Sequence, residues 1–145
     1  IYGSQYGSTY RYAKQLSEQT NITAVGYKEA PDLSGMRTII YMGGLYAGGV
    51  VGLAKALRGF SIQNGQKLLL VTVGLADPDE SKNRDNIRTS LQKQLSPELL
   101  YQSLHKTPLE KQTAENRALI ETYGKQVDFT DFSALEPIIQ EIQRE

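Results

Sequence analysis

The stretch from Lys67 to Val73 constrains the fold of this chain more than any other segment. It reads Lys-Leu-Leu-Leu-Val-Thr-Val and is apolar at consecutive positions. Because successive side chains of a strand point to opposite faces of a sheet, such a run is covered by other elements on both faces. Sheets covered on both faces are typically parallel and lie between helices. The segment therefore predicts a central strand of a parallel α/β sheet.

Strand and helix signals alternate along the chain, as a parallel sheet requires. Short apolar runs predict three more strands, at Ile1 to Gly3, Ile22 to Tyr27, and Thr38 to Met42 ending at Gly43 and Gly44. Apolar residues at helical spacing predict a helix from Thr9 to about Gln19 and three later stripes. The stripes consist of Val50, Val51, Leu53, Ala54 and Leu57; of Ile87, Leu91 and Leu95; and of Leu135, Ile138, Ile139 and Ile142. We interpret the chain as one doubly wound α/β domain over residues 1–145, a sheet between two helical layers.

Two further features concern the second half. The run Thr107-Pro108-Leu109-Glu110 has the form of a capping box and predicts a helix that reaches Tyr123, with Gly124 as its stop. A second capping box is predicted from Ser133 to Glu136.

A fifth strand is expected between Leu95 and Thr107, but that segment reads equally well as helix. Either an edge strand is lost or residues are absent near Leu100 and Tyr101, and we favour the second. The first strand starts abruptly at Ile1, so we also expect a few of its residues to precede this numbering.

Composition excludes several classes of protein. Sixteen basic residues balance sixteen acidic ones, which argues against a dedicated nucleic-acid binder. There is no cysteine, which excludes disulfides, thiolate metal sites and cysteine nucleophiles. No apolar run approaches the roughly 18–20 residues of a membrane span, and no signal-peptide pattern is present. These features suit a cytoplasmic protein.

The turn after the first strand has the composition of a phosphate site. It consists of Ser4, Gln5, Tyr6, Gly7, Ser8 and Thr9 and runs directly into a helix pattern. Backbone N–H groups at a helix start are unpaired and favour negative charge. The hydroxyls add donors, while Gln5, Tyr6 and Gly7 would contribute mainly backbone N–H groups. Because no lysine lies in the turn, it is not a nucleotide-hydrolysing P-loop and suits a single terminal phosphate.

Two more loops follow predicted strands. The first consists of Gly43, Gly44, Leu45, Tyr46, Ala47, Gly48 and Gly49, and its four glycines are too many for a simple connection. The second consists of Gly74, Leu75, Ala76 and Asp77, followed by Pro78. Asp77 is equally well explained as the cap of the next helix. Ligands of open α/β sheets bind beyond the carboxyl ends of strands, so all three loops are candidates for one site.

With these three loops the chain resembles a flavodoxin. In particular it is similar to the flavodoxin-like domains related to the menaquinone-dependent protoporphyrinogen oxidase of bacteria, including the segment Val127 to Phe132. The resemblance implies a parallel sheet of order 2-1-3-4-5 and noncovalently bound FMN. It implies that the first loop holds the phosphate and that the other two enclose the isoalloxazine ring. A peptide at Gly43 or Gly44 would turn toward the flavin, Tyr46 would stack on the ring or guard its edge, and the loop at Gly74 would pair with the pyrimidine edge.

The resemblance leaves three functions open. The first is a flavoprotein that carries electrons between partner proteins. The second is an FMN-dependent oxidoreductase acting on a small quinone or porphyrinogen-like substrate, although the long insertion of the oxidase branch is absent from this sequence. The third is a receiver-like module without cofactor. A receiver needs acidic residues where this chain has Gly3, Ser4, Gly43 and Gly44, which argues against it. The lone histidine, His105, has no partners typical of a metal site.

Overall fold

A computed structural model describes residues 1–46, 49–74, 81–95, 119–122, 125–128 and 132–144 of the chain. Its central sheet contains three parallel strands, β1 (Tyr2–Gly3), β2 (Thr38–Tyr46) and β4 (Lys67–Val73). β2 lies in the middle, with β1 along one edge and β4 along the other. The paired residues run from Thr38 opposite Lys67 to Gly44 opposite Val73. The predicted strand from Lys67 to Val73 and the parallel sheet are therefore confirmed, whereas the central place of β4 stays a prediction, since among the described residues β4 pairs with β2 alone.

The predicted strand from Ile22 to Tyr27 is wrong in its extent. It is reduced to one parallel bridge between Gly26 and Tyr2, and a 3-10 turn, Tyr27–Glu29, follows at once. The Glu29 N–H donates to the Gly26 carbonyl at 3.0 Å, which turns the chain away from the sheet. The parallel positions therefore run Gly26, β1, β2, β4, and no fifth parallel strand occurs among the described residues. The full order 2-1-3-4-5 stays a prediction.

In the described part of the chain four helices accompany the sheet: α1 (Ser8–Thr20), α2 (Leu53–Ala56), α3 (Ser81–Gln94) and α4 (Glu136–Gln143). The helix pattern of α3 is confirmed, since Ile87, Leu91 and Leu95 are all buried. A 3-10 turn, Phe132–Leu135, leads into α4. The α4 helix begins after Leu135, which makes no side-chain capping hydrogen bond, and the capping box from Ser133 to Glu136 stays a prediction.

The two faces of the sheet carry separate apolar cores. Alternate residues of β2 and β4, such as Tyr41 and Leu70, pack on one face with α2 and α3. The intervening residues, such as Met42 and Val71, pack on the other face with α1 and α4. This division is the doubly wound arrangement that the two-sided apolar run of β4 predicted.

Beyond the parallel ladder, β2 continues into a hairpin with a short strand, β3 (Gly49–Val50). Leu45 lies opposite Val50, and Tyr46 lies opposite Gly49. The helix stripe predicted to start at Val50 is therefore wrong at its beginning, because α2 starts only at Leu53. The apolar side chain of Val50 is buried, but it is buried from a strand.

A second hairpin lies late in the chain. Its strands, β5 (Leu119–Thr122) and β6 (Lys125–Asp128), pair antiparallel with Leu119 opposite Asp128. The helix predicted to reach Tyr123 is therefore wrong over its last residues. The rest of that helix, and the segment in which a fifth strand was expected, lie outside the described residues.

Candidate functional site

The candidate residues meet at one edge of the sheet. Gly3 lies opposite Gly43, and Gly44 lies opposite Val73, so the three parallel strands reach their carboxyl ends together. Ser4 and Gly74 are each the first residue beyond a strand. The structure thus brings the first turn, the β2–β3 hairpin and the start of the third loop to a common rim.

The turn after β1 leaves the start of α1 open. Gly7 is the N-cap and has φ +90°, a left-handed conformation that glycine adopts without strain. Its carbonyl accepts the first helical hydrogen bond, from the Arg11 N–H at 3.1 Å, and its own N–H donates to Ser4 Oγ at 3.0 Å. Gly7 has no side chain to cap the first-turn amides, and no acidic residue lies in the first turn. The helix dipole and these N–H groups therefore favour an anion at this point.

Thr9 is the buried hydroxyl of the turn. Its side chain is only 1% exposed, and within the described part of the chain no hydrogen-bond partner is found for its hydroxyl. It faces the bare Cα of Gly44, where an added Cβ would lie 2.9 Å from Thr9 Oγ1. An unpaired buried hydroxyl costs roughly 1–3 kcal/mol. The site therefore contains a donor that a ligand would satisfy.

Gly43 and Gly44 lie within β2 rather than in the loop that the sequence predicted. Their places in the ladder are fixed by Gly3 on one side and by Thr72 and Val73 on the other. A side chain at Gly43 would collide with Val50 Cγ1. These glycines therefore allow close packing of the hairpin and of α1. The connection between the two hairpin strands begins only after Tyr46.

Tyr6 and Tyr46 form an exposed aromatic pair at the rim. Their side chains are 66% and 51% exposed, and their rings meet edge to face with centroids 5.6 Å apart. A hydrogen bond with Tyr46 raises the pKa of Tyr6 above its usual value. Each ring offers an apolar face of the kind that a planar aromatic ligand contacts.

The third segment is only partly described. Gly74 follows β4 and its Cα lies against Leu45, since an added Cβ would be 3.0 Å from Leu45 Cδ1. Leu45 packs against the core on the α2 and α3 face. Gln5 is exposed, and Ser4 and Ser8 are partly exposed in the first turn. Five other predicted site residues lie outside the described part of the chain: Ala47, Gly48, Leu75, Ala76 and Asp77.

The sequence analysis missed two side chains that hold the hairpin. The Tyr41 hydroxyl donates to the Val51 carbonyl at 2.5 Å, and Gln94 exchanges two hydrogen bonds with the backbone of Val50. A signal existed for Gln94, because this polar residue lies three positions after Leu91 on the buried stripe of α3. Burial raises the pKa of Tyr41 well above its usual value, and the nearby Tyr27 adds to the effect.

Other site classes find no support in the described residues. They contain no group of three or more His, Asp or Glu side chains that could hold a metal ion. No helix among them is both long and apolar enough to cross a membrane. His105 lies outside them.

Of three comparisons with known proteins, one gives a match, and it agrees with this geometry. Neither a curated protein nor a solved structure matches the chain. A protein-family model, described as a flavodoxin domain, matches residues 1–128 of the 145. The match includes the turn after β1, the β2–β3 hairpin and the segment after β4. The chain belongs to the flavodoxin domain family.

Proposed function

We propose that this protein binds FMN noncovalently at the carboxyl edge of its parallel sheet and transfers electrons through it. Family membership suggests an FMN-binding redox function in general terms. The single observation that carries the proposal is the buried hydroxyl of Thr9, which has no partner among the described residues, beside the start of α1 at Gly7.

The residues of the turn fit a terminal phosphate. The open N–H groups of the first turn, with the hydroxyls of Ser4, Ser8 and Thr9, form a set of donors without a cation. Such a set suits a phosphate monoester dianion better than a triphosphate, for which P-loops supply a lysine. Gly7 keeps the turn free of a side chain that would hinder the approach.

The rest of the rim fits the ring. Tyr6 and Tyr46 expose aromatic faces, and Leu45 and Gly74 form an apolar surface between β2 and β4. Ala47, Gly48, Leu75, Ala76 and Asp77 complete the proposed ring site. When bound, the flavin supplies the redox chemistry. The chain binds it, orients it and limits the access of water.

Thr9→Val tests the phosphate role. The substitution keeps the shape of the side chain and removes the hydroxyl, so FMN affinity should fall by about 10- to 150-fold, the loss of one hydrogen bond to a charged acceptor, about 1.5–3 kcal/mol. Riboflavin lacks the phosphate, so its affinity should not change. Both are measured by flavin fluorescence titration.

The same variant has a second expected effect. Because the described residues provide no hydrogen-bond partner for this hydroxyl, Thr9→Val should stabilise the ligand-free protein, by about 1–3 kcal/mol in urea denaturation. Thr20→Val is the matched control, since the Thr20 hydroxyl donates to the Leu16 carbonyl at the other end of α1. The control should leave both flavin affinities unchanged. Equal losses of FMN and riboflavin affinity in Thr9→Val would contradict the phosphate assignment.

An oxidoreductase function of the protoporphyrinogen-oxidase or quinone-reductase type is the second candidate. It is supported by the similarity of residues 127–132 to that branch. Potentiometric reduction of the FMN-loaded protein separates the two candidates: a carrier should take up electrons singly, and an enzyme should take them up in pairs. Oxidation of protoporphyrinogen with a quinone acceptor tests the enzyme directly. The identity of the redox partner and the cytoplasmic location stay predictions.

A further inference from the structure

The outer edge of β3 is met by a side chain where a sheet would place another strand. The Val50 N–H donates to Gln94 Oε1 at 2.6 Å, and Gln94 Nε2 donates to the Val50 carbonyl at 2.9 Å. The neighbouring Val51 N–H donates to the Gly44 carbonyl at 2.9 Å. Antiparallel pairs alternate between bonding inward and outward, so both polar groups of Val50 point away from β2. A carboxamide has the donor and acceptor of a peptide group, and Gln94 therefore takes the place of a neighbouring strand.

The surroundings make these two hydrogen bonds important. Val50 is 2% exposed and shares the apolar core of that face with Leu91 and Leu95 of the Gln94 segment. Its N–H and carbonyl are thus shielded from water and need protein partners. Gln94 also lies close to Gly49, where an added Cβ would be 3.4 Å from Gln94 Nε2.

The hairpin that Gln94 holds carries a candidate ring contact. Tyr46 lies opposite Gly49, the residue before Val50. We propose that Gln94 is a positioning residue for the flavin ring: by holding β3 it sets where Tyr46 stands at the rim. This inference rests on the proposed function and extends it to a residue 44 positions away from Val50 in sequence.

Other contacts keep the fold intact when Gln94 is replaced. The base of the hairpin is held independently by the Val51–Gly44 hydrogen bond and by the Tyr41 hydroxyl on the Val51 carbonyl. Gln94→Met should therefore loosen the outer edge of β3 without unfolding the chain. Methionine matches glutamine in length and helix propensity. Gln92→Met is the matched control, since Gln92 is exposed on the same helix.

Hydrogen exchange in the ligand-free protein tests the pair of hydrogen bonds between Gln94 and Val50, which we call the clamp. In Gln94→Met the Val50 amide should exchange about 10- to 100-fold faster, as expected for the loss of one or two net hydrogen bonds. The Val51 amide bonds to Gly44 and serves as the internal control, so its rate should stay within about threefold. Gln94→Glu, which keeps the acceptor but loses the donor, should leave the Val50 amide more protected than Gln94→Met does. Unchanged exchange at Val50 in Gln94→Met would overturn the proposal.

Flavin binding tests the positioning. Gln94→Met should weaken FMN and riboflavin by the same factor, about 3- to 30-fold, because the ring is common to both and coupled residues interact on this scale. In a Tyr46→Ala background the substitution should have no further effect, and in Gln92→Met neither affinity should change. A loss of the same size in both backgrounds, or no loss at all, would refute the positioning role. If the wild-type protein binds neither flavin, the proposed function and the role toward the ring both fail, whereas faster Val50 exchange would still establish the clamp.

Discussion

Removal of the Tyr41 hydroxyl, a single oxygen atom, should lower the free energy of unfolding. Tyr41 is 1% exposed, and its hydroxyl donates to the Val51 carbonyl at 2.5 Å. Tyr41→Phe deletes this hydrogen bond and leaves the Val51 carbonyl without this donor in a partly buried position. The cost of such a group is about 1–3 kcal/mol. For a chain of this size that corresponds to a fall in Tm of roughly 3–10 °C.

Urea and thermal denaturation of the ligand-free protein measure this effect. The urea midpoint should fall while the m-value stays unchanged, because the surface exposed on unfolding is the same. Tyr10→Phe is the matched control, since Tyr10 is 47% exposed and should change stability by less than about 0.5 kcal/mol. If Tyr41→Phe lowers the free energy of unfolding no more than Tyr10→Phe does, the reasoning is refuted.

The pKa of Tyr41 adds a test of sign. Burial raises this pKa above the ordinary value of 10.0, so the folded protein keeps the phenol proton when the unfolded chain loses it. The folded state then binds more protons, and stability falls as pH rises above about 10. Below pH 10 the phenol is protonated in both states, and its full contribution to the free energy of unfolding is present. Tyr41→Phe has no phenol to ionise at this position, so its stability should decline less steeply above pH 10 than that of the wild type.

Three glycine substitutions test the close packing at Gly52 and Gly44, with Gly59 as the control. Gly52→Ala should cost about 2–4 kcal/mol in urea denaturation, because Gly52 has φ +77° and an added Cβ would collide with the Tyr27 ring. Gly59→Ala, at φ +71° with nothing within 4 Å, should cost only about 1–2 kcal/mol, and equal losses would contradict the collision. Gly44→Ala should also be destabilising, since its Cβ would lie 2.9 Å from Thr9 Oγ1. Combining it with Thr9→Ala should recover about 0.5–3 kcal/mol relative to the sum of the single changes, whereas additive losses would show that the two residues do not interact.

The parts of the fold that the sequence predicted are those set by local pattern. The two-sided apolar run of β4 and the stripes of α3 and α4 each arise from side chains within one element. Their periodicity is visible without knowledge of their neighbours. The turn after β1 was predicted for the same reason, because its small residues and the helix that follows are adjacent in sequence.

The β2–β3 hairpin could not be predicted in this way. Val50 and Leu53 fit a helical stripe as well as they fit a strand and a later helix. The strand conformation at Val50 depends on Gln94 and on the pairing with Leu45, and the first of these partners is 44 residues away. The glycines of the stretch suggested a loop, whereas Gly43 and Gly44 are small because Val50 and Thr9 pack against them. Tertiary contacts thus overrode the local preference.

The two sides of the rim differ in how they are supported. On the hairpin side, Gly44, Tyr41 and Gln94 each hold the backbone of Val50 or Val51, and these attachments come from a strand and a helix that are packed in the core. On the side of the first turn, the side-chain contacts include the Ser4–Gly7 hydrogen bond, the packing of Thr9 against Gly44 and the pairing of Tyr6 with Tyr46. Residues that are held by hydrogen bonds to packed elements keep a more precise position than residues that lack such support. The hairpin that carries Tyr46 is therefore held by residues of the core, and Tyr6 lies against Tyr46 at the exposed rim.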